Sequence, residues 1–176
     1  GSSIKEIAFE KAGIIKENIP VVISKQVKEA NQVLNDVAAN KNSQMLRESI
    51  EFDVLDRTVG VGGQQLNIAT PYGNYQDLFL PLFGKFQASN AACALTAVET
   101  FLGKKLEIEL VQEAFADFKS PARLQIIKRN PTILVDAAHN ISGVQNTLEA
   151  INETFKFDNK ILVLGFMKDK DIDEML

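Results

Sequence analysis

The chain has 176 residues, 45% hydrophobic and 24% charged, with a formal net charge of −4. That balance reads as a soluble chain able to bury a core, enough for one domain or parts of two. Its acidity, with no basic stripe, excludes a nucleic-acid footprint, and no apolar run approaches the roughly 20 residues of a membrane span.

The opening "SSIKEIAFEKAGIIK" sets Ser3 and Glu6 at capping-box spacing around Ile4, with Ile7 and Ala8 on helical spacing and Gly13 as the stop. Whether the leading "GSS" is native or a cloning scar stays open. "IPVVIS" reads as a short buried strand and "VKEANQVLNDVAANKN" as an amphipathic helix, an α/β rhythm. Between Ser49 and Leu82 the pattern changes. "IEFDVLDRTV", "QQLNIAT" and "QDLFLPL" predict an antiparallel excursion, with "PYGN" as a turn. Gly60, Gly62 and Gly63 lack a following Lys-Ser/Thr and helix, so they form no phosphate loop and read as turn glycines. "SNAACALTAVETFLG" and "IELVQEAFADF" predict two further helices.

The lone cysteine, Cys93, lies in the first of these and reads as a small apolar residue. One cysteine builds neither a disulfide framework nor a zinc site. With no signal-peptide pattern, the expectation is a cytoplasmic protein, a monomer without membrane or nucleic-acid partners.

"KSPARL" breaks the pattern, and the expected domains are 1–119 and 120–176. Beyond the break, "LQIIKRNPTILVDAA" predicts two strands joined by a tight turn. "SGVQNTLEAINETF" predicts a helix whose apolar face is Val144, Leu148, Ile151 and Phe155. "KILVLGF" reads as a fully apolar strand of a parallel sheet covered on both faces, closing a βαβ unit, and "DIDEML" as the start of another helix. A doubly wound sheet needs more strands than remain, so the second domain reads as truncated.

In open parallel α/β sheets, ligands bind outside the carboxyl ends of the strands. Asp136 and His139, the only histidine, sit at one such end; Gly165, Lys168 and Asp169 sit at the next. Asp136 suits a ribose hydroxyl, and His139 and Asn140 lie at a helix start, where free N–H groups favour anions. The plain alternative is an aspartate that caps the helix and a histidine that packs.

Taken in order, "FEKAGIIK", "FGKFQASNAACAL", "SPARLQII", "ILVDAAHN" and "VLGFMKDKDIDEML" resemble the folylpolyglutamate synthase/dihydrofolate synthase family of Mur-type ligases. The resemblance implies an α/β chain: the latter part of a Mur-ligase-type central ATPase domain, then the start of a Rossmann-like C-terminal domain. It also implies an ATP-dependent ligase that activates a folate or dihydropteroate carboxylate as an acyl phosphate and joins it to the amine of L-glutamate, with ATP and Mg2+ as cofactors. The family's phosphate loop is not in these residues, so this chain alone is expected to be inactive.

By motif, Lys11 matches the lysine that is often carbamylated in this family and then faces a metal ion; otherwise it is a surface lysine. Asn90 matches the asparagine that reads the adenine edge, and its alternative is a polar residue at a helix N-terminus. Arg123 matches the linker arginine that reaches the nucleotide phosphates, and its alternative is a solvated hinge charge. Asp136 matches the ribose-holding acid, and His139 the histidine facing the reaction centre.

Three positions depart from the family pattern. Phe86-Gln87 stands for His-Gln, Ala137 for a glycine, and Ala122 for the glycine of the linker, which stiffens the hinge. Two rivals stand beside the folate reading: a Mur ligase acting on a peptidoglycan precursor, and a non-catalytic nucleotide-binding or interaction module on the same scaffold.

Overall fold

The computed structural model describes residues 3–165. Their contacts divide into two compact units. One comprises the residues up to Asp56 with Asn67–Gln76 and Ser89–Ile108; the other comprises Arg57–Leu66, Asp77–Ala88 and everything from Glu109 onward. The second unit thus holds residues from both sides of the expected boundary at 119/120.

The first unit opens on α1 (Ile4–Ala12), where the Ser3 hydroxyl accepts from the Glu6 N–H at 3.2 Å and Gly13 closes the C-terminus. Strand β1 (Val21–Ile23), helix α2 (Lys28–Asn40) and strand β2 (Met45–Arg47) follow. β1 and β2 pair in parallel, with Val21 opposite Met45 and Ile23 opposite Arg47. α2 is therefore the crossover of a βαβ unit, the connection a parallel pair requires. Ala12, Ile15 and Ala38 form the core here, flanked by Val21, Leu34, Val37 and Met45. After β2 the chain turns on a two-pronged ion pair. Arg47 Nη2 lies 2.7 Å from Glu51 Oε1 and Nε 3.1 Å from Oε2, which holds the Glu51 carboxyl below the usual carboxylate range. β2 has no counterpart in the sequence reading, because three residues carry no alternation and only the partner strand defines them.

Strands β3 (Asp53–Gly60), β4 (Gly63–Thr70) and β5 (Gly73–Leu80) form a sheet in that order. Two-residue connections join neighbours, so the strands are antiparallel; a parallel return needs a dozen residues or more. Helices α3 (Lys85–Leu102) and α4 (Ile108–Ala116) come next. α3 starts four residues before the expected Ser89, because Gly84, at φ +94, ends the preceding turn and its carbonyl accepts from the Gln87 N–H. Asn90 therefore lies inside the helix, past its free N-terminal amides.

In the second unit, β6 (Gln125–Arg129) and β7 (Thr132–Val135) pair antiparallel and lead into α5 (Ile141–Thr154). Phe83, Leu124 and Ala150 form its core, with Ile126, Leu134, Ile151 and Phe155 packed against them. The Phe83 and Phe155 rings meet edge to face with centroids 5.3 Å apart. A polar chain supports this core. Glu153 on α5 pairs with Arg57, whose Nε donates to Gln64 Oε1, while Gln64, buried, donates from Nε2 to the Gly84 carbonyl at 3.1 Å. The helical face predicted for α5 is present, with Val144, Leu148, Ile151 and Phe155 all half-buried.

The strand expected at "KILVLGF" is not formed over 160–165, where Ile161 and Val163 are each 90% exposed. Among the described residues no strand is placed to receive it beside the β6–β7 pair, and a strand without a partner has no ladder to define it. The expected βαβ unit is thus represented by β7 and α5 alone. Lys168, Asp169 and the "DIDEML" helix lie outside the described residues. Among those described, no helix is long and apolar enough to cross a membrane.

Candidate functional site

In the second unit, three of the candidate residues gather around one carboxylate. Asp136 directly follows β7, at its carboxyl end, and is half-buried. Its Oδ2 accepts from the Leu124 N–H at 2.8 Å. Its Oδ1 accepts from the Ala138 N–H at 2.8 Å and from the Thr147 hydroxyl at 3.0 Å. The Ala137 N–H donates to the Ala122 carbonyl at 2.9 Å. Arg123 is thereby held between two residues that are both tied to the Asp136 loop, and its own side chain is exposed.

His139 is exposed as well, with Nδ1 3.1 Å from the Ala137 carbonyl. When Nδ1 carries the proton and donates there, Nε2 is left as the basic nitrogen. The N-cap of α5 is Asn140, whose Oδ1 accepts from the Gly143 N–H at 2.7 Å. Asp136 is therefore not the helix cap. A carboxylate offers about four acceptor sites. Three are filled from within the chain, which leaves one on Oδ2.

The backbone around Arg123 accounts for one departure from the family pattern. Ala122 and Leu124 both adopt left-handed conformations, at φ +56 and +47. Leu124 is held there by its burial and by its bond to Asp136. At Ala122, where the family favours glycine, an L-residue in this region costs roughly 1–2 kcal/mol. Glycine's greater freedom when unfolded offsets about 0.4–1 kcal/mol of that. Ala122→Gly is therefore expected to stabilise the protein by up to about 1.6 kcal/mol, read as a rise in Tm. A fall in Tm would contradict it. Ala137, by contrast, has no positive φ, so its departure carries no backbone strain.

Phe86, the third departure, lines a cavity of about 430 Å³ together with Lys85, Asn146, Glu149 and Glu153. Gly84 permits this close packing, since a Cβ there would lie 2.7 Å from the Phe86 ring and 3.0 Å from the Ala150 methyl.

The first unit holds the other two candidates, at separate places. Asn90 is exposed on α3, and its neighbour Ser89 donates from Oγ to Glu48 Oε2 at 2.7 Å. The same oxygen accepts from the Lys25 N–H at 2.8 Å. Lys25 and Glu48 follow β1 and β2, so Glu48 ties the Asn90 turn of α3 to the carboxyl ends of the parallel pair, where α/β sheets bind ligands. Nothing in the spacing of "LRESIEF" marks Glu48, and the tertiary contact alone reveals it. Burial first, and Glu48 second, push the Cys93 thiol up, which disfavours the reactive thiolate. Lys11 is exposed in the last turn of α1. Among the described residues, no group of three or more His, Cys, Asp or Glu is gathered as a metal site.

Residues 122–176 match the family described as Mur ligase, glutamate ligase domain. Over its whole length the chain is 38% identical to the dihydrofolate synthase/folylpolyglutamate synthase of Mycobacterium tuberculosis, covering 38% of that protein. It is 33% identical to the folylpolyglutamate synthase of Lacticaseibacillus casei, with 99% of the chain and 41% of the relative aligned. The chain thus spans about two-fifths of these relatives' length.

Among solved structures, the M. tuberculosis folylpolyglutamate synthase complexed with ADP superposes with a TM-score of 0.86 at 39% identity, covering 89% of this chain and 36% of that one. A complex of FPGS with AMPPCP and folate superposes with a TM-score of 0.85 at 32% identity, covering 89% and 39%.

Proposed function

From the premise that this chain belongs to the folylpolyglutamate synthase/dihydrofolate synthase family of the Mur ligase superfamily, we propose that it is part of an ATP-dependent carboxylate–amine ligase that adds L-glutamate to folates. The observation that carries this reading is the pair of exposed side chains, Arg123 and His139, flanking the Asp136 hub at the carboxyl end of β7. This lies within the segment that matches a glutamate ligase domain.

The chemistry assigns distinct tasks to these groups. The Arg123 guanidinium is a planar fork suited to paired phosphate oxygens. The remaining acceptor site on Asp136 suits a ribose hydroxyl. His139, with one nitrogen engaged by the Ala137 carbonyl, keeps the other to orient the amine or the activated carboxylate where the amide forms. Asn90 offers a donor and an acceptor, the pattern an adenine edge requires.

Magnesium, when bound, spreads the phosphate charge. Lys11, if carbamylated, is the residue of this chain that would face it, and its support is the "EKAGI" motif alone. We take the folate branch over the peptidoglycan branch because the M. tuberculosis and L. casei relatives both carry folate-ligase names.

The test is ligation by the full-length protein, with ATP, L-glutamate and either dihydropteroate or a reduced folate. Asp136→Ala is expected to raise the KM for ATP, and His139→Ala to lower kcat or raise the KM for glutamate. Losing a hydrogen bond to a charged group, worth about 1.5–3 kcal/mol, corresponds to effects of roughly tenfold to a hundredfold. A full-length protein that leaves folates untouched but extends a peptidoglycan precursor would replace this reading with its rival.

A further inference from the structure

We propose that Thr147, on the second turn of α5, is a positioning residue for nucleotide binding, acting through Asp136. This rests on the nucleotide reading of the Asp136 loop given above. The Thr147 hydroxyl donates to Asp136 Oδ1 at 3.0 Å, on the same oxygen that accepts from the Ala138 N–H. Those two donors commit Oδ1 to the interior of the unit. The carboxylate is left with Oδ2, which holds the Leu124 N–H and retains one acceptor site.

Thr147 thereby sets the rotation of the carboxylate. Through that rotation it sets two further things: which lone pair is left for a ligand, and whether the Leu124 bond that anchors the Arg123 linker can form. Without the hydroxyl, the carboxylate is held only by one backbone donor on each oxygen, Ala138 N–H on Oδ1 and Leu124 N–H on Oδ2, and its Cβ–Cγ torsion, which has little intrinsic preference, is less tightly fixed. The linker keeps its tie to the loop through Ala122 and Ala137, and the looser carboxylate weakens the second tie, at Leu124. The branched Cβ of threonine leaves its hydroxyl two principal χ1 positions in a helix, and here it takes the one that reaches Asp136. Leu124 in a left-handed conformation and Ala122 bonded to Ala137 make the arrangement dependent on each of its ties.

The experiment uses the full-length protein with ADP as the probe, titrated by calorimetry well below the melting temperature. Thr147→Val keeps the shape and removes the hydroxyl; it is expected to raise the Kd for ADP roughly threefold to tenfold. Thr147→Ser keeps the hydroxyl and is expected to restore the Kd to within about twofold. Should the valine variant not fold, Thr147→Ala takes its place beside the serine variant. Gln145→Ala, an exposed change on the same helix, is the control and should leave the Kd alone. A Thr147→Val protein with a lowered Tm but a wild-type Kd, or a serine variant that fails to restore binding, overturns the inference while leaving the proposed function standing. A wild-type protein that does not bind ADP overturns both.

Discussion

Gly63→Ala is expected to destabilise the protein by about 3 kcal/mol, far more than alanine at Gly60 or Gly62. The three glycines share one short stretch but meet different surroundings. A Cβ on Gly63 would lie 2.3 Å from the Leu80 carbonyl oxygen and 2.8 Å from the Pro81 Cα. Both are backbone atoms, which cannot swing aside as a side chain would, so the end of β5 must move. Gly62, at φ +86, has open space around it, so alanine there meets the left-handed penalty of roughly 1–2 kcal/mol, offset by about 0.4–1 kcal/mol through the unfolded state. Gly60 has neither constraint, and alanine is expected to be neutral or to stabilise by about 0.5 kcal/mol through the unfolded state. Urea unfolding of the three variants checks the order. A Gly63→Ala midpoint no lower than that of Gly60→Ala would show that the strand end yields easily.

Those glycines mark the limit of what local pattern reveals. All three read as turn residues, but only Gly62 lies in the turn, while Gly60 ends β3 and Gly63 opens β4; that Gly63 is a point of close approach depends on Leu80, seventeen positions along the chain. The same division runs through the rest of the fold. The Ser3 cap, the α2 and α5 faces and the hairpins around Val61–Gly62 and Pro71–Tyr72 repeat local periods or turn chemistry, and each lies where the sequence predicts it. β2 and the 160–165 segment fail in opposite directions for one reason. A strand exists only with a partner, so "MLR" becomes one beside β1 while the more apolar "ILVLG" does not.

At the candidate site, the positions of Asp136, His139 and Arg123 near one strand end were legible from motif and order. The ties between them were not. Thr147 reaches Asp136 across eleven residues and Glu48 reaches Ser89 across forty-one, and neither spacing belongs to any local repeat. Ala122 reads from the sequence as a residue that stiffens the hinge, and its φ of +56 shows that the position demands a left-handed backbone.

The buried pair Tyr75–Glu99 carries the last prediction, with both a mutational and a pH arm. Both side chains are fully buried, at 0% exposure. The Tyr75 hydroxyl donates to Glu99 Oε1 and accepts from the Leu106 N–H at 2.8 Å. Glu99 Oε2 has no hydrogen-bond partner among the described residues. Tyr75→Phe therefore removes the chief donor to a buried carboxyl that already lacks one partner. It also leaves Leu106 N–H with only a long 3.4 Å contact to Glu99 Oε1. Breaking one side of such a pair costs about 3 kcal/mol. Glu99→Gln, which keeps an acceptor, should cost less, and the double variant should cost less than the two single variants together.

The pH arm follows from the hydroxyl itself. Burial first, and the Glu99 carboxyl second, push the Tyr75 hydroxyl up to about 12 from an ordinary 10. A folded-state value above the unfolded one means that the group's contribution is fully present below pH 10 and is lost between pH 10 and 12. The difference between 10 and about 12 corresponds to about 2–3 kcal/mol. Lys105, with Nζ 5.2 Å from the Tyr75 ring centroid, is the cation facing the pair, and Glu107 is a further acid that disfavours the phenolate. Urea unfolding at neutral pH and through this alkaline window should therefore show wild type losing its advantage over Tyr75→Phe as the pH rises. The tyrosinate difference spectrum between the two proteins should titrate near pH 12. A difference spectrum centred near the free tyrosine value of about 10, or a Tyr75→Phe protein as stable as wild type, would show that the hydroxyl is neither sealed from water nor needed by Glu99.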